Sequence, residues 1–239
     1  MEIDKVLVFD IWGDYAHFRK IETTTSPLTY SVPTGTVLSG FLAAMLGWSR
    51  DSYYEQFSRE NVRFGIRILK PIKKVRININ LIKTDEGFYL WDIKGNPRAP
   101  TPYEFIRDPH YRIYVWLKNK EIYRELRDNL ENHKTVFTPY LGISELIADF
   151  NFIGEFDNLK PKKAIEDKIH SVLRKDDFRI KIEELEEGMR WAMENIPLYM
   201  NKERIVKEYS EILFEQNGRP LTVTKGSFYE IGGDNVVFL

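Results

Sequence analysis

Cysteine is absent from the 239 residues, which excludes disulfides, thiolate zinc sites and cysteine nucleophiles. Histidine is scarce. His17, His110, His133 and His170 stand at no spacing that sets two imidazoles, or an imidazole and a carboxylate pair, on one metal, so no metal or other cofactor is expected. No Gly-x-Ser-x-Gly, Walker A or Gly-x-Gly-x-x-Gly run occurs. Long apolar runs are lacking too. The most apolar helical stretch, residues 37–48, falls short of the roughly twenty residues that cross a bilayer. The start, MEIDKVLVFD, carries acids where a secretion signal needs a basic region. A soluble cytoplasmic protein without a membrane partner is the expectation. Net charge is nearly absent as well, at −1, so bulk charge does not advertise a nucleic-acid binder.

The charge is nonetheless unevenly placed. Residues 61–84 hold Arg63, Arg67, Lys70, Lys73, Lys74, Arg76 and Lys83 and no acid, while acids gather at 183–187; the latter read as a solvated face. With 43% hydrophobic and 14% aromatic residues the chain can build a core, which argues against disorder. Residues 5–12 are β-branched and apolar, predicting a buried strand. A Thr/Ser/Pro-rich loop spans 23–33. A helix begins near Thr34, a capping residue, and ends at Gly47, with Val37, Leu38, Phe41, Leu42, Met45 and Leu46 on one face. Strands are predicted over 62–69 and 75–84, then a turn at Asp85-Glu86-Gly87 and a returning arm at 88–93. Residues 94–109 hold Pro97, Pro100, Pro102 and Pro109 and read as an extended surface loop. A strand at 111–117, a helix at 121–131 and a strand at 147–156 complete a β-α-β-(arm)-β-α-β order, that of the ferredoxin-like fold. Beyond residue 160 the pattern weakens: a short helix over 164–173, segments 190–200 and 204–214 open between helix and strand, and short strands at 221–224, 227–231 and 236–239. A smaller β-rich C-terminal part is therefore expected.

Such a sheet offers a face where bases stack on rings while arginines and lysines hold phosphates. Trp12, Tyr15, Phe18 and Arg19 close the first strand, beside a basic region with Phe64 and Arg67. The usual single-strand RNA signature is missing, with only Arg63-Phe64-Gly65 faintly like it. Residue pattern alone stops at an α+β domain with a basic binding face.

Particular residues go further. FDIWGDYAHFRK, a polar run and TYSVPTGTVLSGFLAAMLG resemble the N-terminal pattern of the CRISPR-associated protein five family, RAMP-superfamily subunits of type I Cascade that hold the 5′ handle of the guide RNA (crRNA). The matching positions are Gly13, Ala16, Phe18, Arg19, Thr29, Tyr30, Pro33, Gly40 and Gly47. Thr101, Pro102, Glu104, Phe105, Pro109 and Tyr111 fit a second segment, and Tyr140, Leu141 and Gly142 a third. The style is similar to type I-B members. The resemblance implies an α+β, RAMP ferredoxin-like (βαββαβ, RRM-like) domain over 1–156, with a thumb inserted at about 70–110, and a β-rich subdomain over 157–239. It implies a non-catalytic subunit that caps the handle and docks the Cascade backbone and large subunits, with target DNA a further contact within the complex. Arg19, a planar fork for phosphate, and Tyr30, a stacking ring, are the handle candidates, with Trp12 and Phe18 in the same loop. Lys73, Lys74, Arg76, Arg98 and Arg107 are added on charge. The alternative is a metal-independent endoribonuclease that processes precursor crRNA, as in type I-C members. A tyrosine, a lysine and a histidine would then be needed, and Tyr30, His133 and Lys134 are the candidates, although a His-Lys pair at a helix end usually serves the helix dipole.

Overall fold

The computed structural model describes residues 3–23, 25–83, 97–184 and 186–239. The first part of the chain runs β1 (Val6–Trp12), α1 (Gly35–Leu46), β2 (Val62–Ile68), β3 (Lys73–Ile82), β4 (Arg98–Arg107), β5 (His110–Leu117), α2 (Lys120–Glu131) and β6 (Asp149–Phe156). Four of these strands form one sheet in the spatial order β2-β5-β1-β6, every neighbour antiparallel. β1 is buried because it is central, paired with β5 on one side and β6 on the other. Its alternate residues Leu7, Phe9 and Ile11 enter the main core beneath α1 and α2, while Val6 and Val8 face the other way.

The helices start and stop where the sequence says. The Thr34 side chain accepts a bond from the Val37 amide at 3.3 Å, and Gly47 closes α1 at φ 71°. Gly35 is needed for a different reason: a Cβ there would collide with the backbone carbonyl of Leu198. Asn119 caps α2 through bonds from the Glu121 and Ile122 amides.

Two expectations need correction. The segment read as a proline-rich surface loop is strand β4, paired with β3 along its length. Pro100 and Pro102 are tolerated because they share parity with Glu104, whose N–H points away from β3 to the Pro27 carbonyl at 3.0 Å. Their missing N–H groups therefore fall on the edge that β3 does not use. The expected turn at 85–87 and arm at 88–93 lie outside the described residues. The helix expected over 164–173 is instead short strands at Lys162–Lys163, Asp167–Ile169 and Leu173–Arg174.

The ambiguous segments are long strands, β7 (Trp191–Met200) and β8 (Val206–Glu215), paired as a hairpin. Strands β9 (Leu221–Lys225), β10 (Ser227–Ile231) and β11 (Asp234–Val236) follow. The C-terminal part thus grips the main sheet from both sides. β7 packs on α1, while β11 lies on the helix-free face, where a Cβ at Gly65 would sit 2.6 Å from a Val236 methyl.

Candidate nucleic-acid interface

The helix-free face of the main sheet is where an open RNA platform would lie, and it is closed. Asp234 accepts bonds from Arg67 and from the Tyr114 hydroxyl. Asp10 accepts a two-pronged bond from Arg112 at 2.8 and 3.1 Å. Val6, Val8, Tyr114 and Trp116 form an apolar cluster with Ile231 and Val236. Phe64 and Arg67 of the basic region are thereby spent on internal contacts. Phe64 is in the core and Arg67 is paired.

Half-buried aromatic residues and exposed basic ones lie together instead at the root of the β3–β4 hairpin. Residues Tyr15–Ala16 pair with Arg107 and Ile106, adding a short third strand beside β4. Tyr15, Arg107 and Lys73 therefore stand in one row on one face, and Ala16, Ile106 and Lys74 in the next row on the opposite face. On the Lys73 face the rings of Tyr15, His17, Tyr103 and Phe105 touch in sequence, with centroids 5.2 to 6.0 Å apart. His17 is buried, and its Nδ1 lies 2.7 Å from the Glu104 carbonyl. Burial pushes its imidazole below the usual value, with help from the nearby Arg19 charge. Trp12 meets the His110 ring at 5.5 Å, and the Leu69 amide bonds to the His110 carbonyl. These contacts continue the surface to Lys70. Arg19, Lys70 and Lys73 are exposed and have no carboxylate partner among the described residues. Arg107 has a solvent-facing one, Asp108, at 3.3 Å.

The expected site residues divide on this geometry. Lys73 and Arg107 share one accessible face, Arg19 is exposed with its charge near His17, and Trp12 is half-buried. Phe18 and Tyr30 are corrected to core residues. They are 0% and 3% exposed, paired with each other across a short ladder, so neither offers a ring face to a base. Lys20 covers the Tyr30 ring at 5.0 Å, and burial pushes its hydroxyl up to about 12. Lys74 is corrected to a structural cation. Its amino group donates to the Thr29 carbonyl at 2.8 Å and lies 3.4 and 3.5 Å from Glu194 and Glu104. Arg76 and Arg98 are exposed along the same face as Lys74, Arg76 opposite Glu104 and Arg98 opposite Ile82. His133 lies 3.2 Å from Asp149 and stacks on Phe150 at 4.3 Å. The Lys134 amide caps α2 on the Asn129 carbonyl. Among the described residues, no hydrogen bond, ion pair or ring contact joins Tyr30 to this pair. Tyr103 and His110 were not foreseen. The alternation Tyr103, Phe105, Arg107 carries the signal for the first, hidden by reading the segment as loop.

The fold is shared with proteins of CRISPR systems. The chain is similar to a CRISPR protein from Archaeoglobus fulgidus, with a TM-score of 0.58 at 15% identity over 97% of this chain and 98% of that one. It is also similar to a chain of a CRISPR RNA-guided surveillance complex, with a TM-score of 0.55 at 12% identity over 90% and 91%. At such identities the likeness is one of fold. A search of curated proteins gives no match. The family model described as CRISPR-associated protein (Cas_Cas5) matches residues 6–221. The chain belongs to that family, the Cas5 proteins.

Proposed function

We propose that this Cas5 protein is a structural RNA-binding subunit of a CRISPR surveillance complex of the type I Cascade kind, capping the 5′ handle of the crRNA at the root of the β3–β4 hairpin. On this reading β1, α1, β2, β5, α2 and β6 are a RAMP ferredoxin-like domain and the hairpin is its thumb. The observation that carries the proposal is the exposure of Arg19, Lys70 and Lys73, cations without carboxylate partners among the described residues, around the half-buried Tyr15, Tyr103 and Trp12. Exposed cations and half-buried rings are what a single-stranded backbone and its bases require. The hairpin also exposes Ile77 and Leu81 on the Lys73 face, apolar surface suited to the backbone subunit of the complex. Docking of the large subunit belongs to the same reading.

Titration of labelled handle RNA at several salt concentrations tests the grip. Lys73→Ala is expected to weaken binding and lower the salt slope by about one; an unchanged slope removes the hairpin root from the interface. The absence of cleavage is part of the proposal. It is supported by the Asp149 and Phe150 contacts that occupy His133 and by the burial of Tyr30. Repeat RNA incubated with the protein in EDTA should stay intact, and cutting at one position that His133→Ala abolishes would overturn it.

A further inference from the structure

The C-terminal part has its own small core, formed by Leu173, Leu213, Leu221 and Val223 among others, and that core is open to the outside. Met193, Leu213 and Leu173 form a cross-strand row on the sheet built from β7, β8 and Leu173–Arg174. A second small sheet, holding β9 and the strand Arg179–Ile180, stands beside it. Between the two lies a cavity of about 490 Å³, with Phe178 and Ile180 on its wall. Trp191 and Met193 form its lip and are 53% and 45% exposed, an unusual state for large apolar residues next to a core.

The polar groups at this cavity have one sign. Arg174, Lys175 and Arg179 line it and no carboxylate does. Arg174 and Lys175 reach out to exposed carboxylates, Asp177 at 3.3 Å and Glu211 at 2.7 Å. Arg179 has no ion-pair partner among the described residues. Solvent-exposed pairs of this kind exchange partners at little cost.

We propose that this cavity is a docking site for a partner protein, receiving a short segment that inserts one or two large apolar side chains between the sheets and sets acidic residues against Arg174, Lys175 and Arg179. The volume is that of an ordinary binding pocket. Apolar side chains would complete a core that the chain leaves unfilled, and flanking acids match the single sign of the mouth. A nucleobase fits less well. Its polar edges need hydrogen-bond partners, yet apart from the three cations the side chains lining the cavity are apolar or aromatic, so inserting a base would strand most of those edges. The site does not depend on the RNA grip, which uses other residues.

The test uses the whole protein and three labelled probes. One is a peptide with Leu and Phe among glutamates, the second carries the same Leu and Phe among lysines, and the third is a single-stranded RNA. Anisotropy titration should show the acidic peptide binding at least about tenfold tighter than the lysine peptide. Met193→Glu, at an exposed position, should cut acidic-peptide binding by about tenfold, and Arg179→Glu by a smaller factor, with thermal unfolding unchanged. Arg19→Ala should leave peptide binding untouched, which separates this site from the hairpin root. Equal affinity for both peptides, or no loss in Met193→Glu, overturns the proposal. RNA that displaces the acidic peptide and is itself weakened by Met193→Glu would mark a nucleic-acid site instead.

Discussion

Phe18 and Arg19 are neighbours in one two-residue strand, yet their side chains have opposite fates. The strand alternation sends Phe18 into the core against Tyr111, with ring centroids 6.1 Å apart, and Arg19 into solvent. Phe18→Ala is therefore expected to cost about 3–5 kcal/mol of stability, the range for large aromatic truncations in a core. Arg19→Ala should change stability by less than about 0.5 kcal/mol while lowering the salt slope of RNA binding. Urea unfolding of both variants beside RNA titration separates the roles. Histidines supply a second test at this scale. His17, His110 and His170 are all held below 6.5, chiefly by burial. A depressed folded value means that the unfolded chain takes up these protons first as the pH falls. Their neutral forms thus favour the fold fully above about pH 6.5 and lose that advantage on acidification. Thermal midpoints should fall between about pH 7 and pH 5, and His17→Gln should flatten that slope.

Among the elements, one carboxylate of β7 gathers the loop before α1 and a lysine of the hairpin. Glu194 on β7 accepts bonds from the Ser31 amide at 2.7 Å, the Ser31 hydroxyl at 3.0 Å and the Lys20 amino group at 3.2 Å, with Lys74 of β3 at 3.4 Å. The Tyr111 hydroxyl donates to the Ser31 carbonyl and fixes the same loop to β5. Glu194→Ala strands two cations and an amide around a largely buried point. The expected loss is about 2–3 kcal/mol, below the range for removing one partner of a fully buried pair because both lysines stay partly solvated, and chemical denaturation reads it directly. None of this was visible in the sequence. Glu194 lies far along the chain from Lys20 and Lys74, and charge pattern placed Lys73 and Lys74 together although strand alternation splits them. Local signals did mark α1, because Thr34, the apolar face and Gly47 all act within the helix itself. The segment 164–173 misled for the opposite reason. Its strands exist only because residues 213–228 supply their partners, as in Leu173 beside Leu213 and Asp167 beside Val223.

At the scale of the whole molecule, the sequence division at 156/157 separates two patterns of residues, but the packing joins them. The amide of Val172 bonds to the Ile66 carbonyl at 2.7 Å, and that of Leu239 to the Phe64 carbonyl at 2.9 Å, both on the edge strand β2. Asp234 neutralises Arg67, and the hydroxyl of Tyr114 donates to that same carboxylate. Ile196, Ile212 and Phe214 belong to the main core, not to the C-terminal one. Removing 157–239 would uncover an apolar sheet face and leave Arg67 without its carboxylate, at a cost that a small domain of marginal stability does not survive. Calorimetry of the full chain should accordingly show one transition with matching calorimetric and van't Hoff enthalpies. Residues 1–156 alone should lack a cooperative transition and bind a hydrophobic dye. Two resolved transitions, with 1–156 melting as in the full chain, would instead establish independent domains. The same coupling bears on function. A sheet face closed by its own C-terminus offers no open platform for bases, which is one reason the proposed grip is placed at the hairpin root, where half-buried rings stand beside exposed lysines.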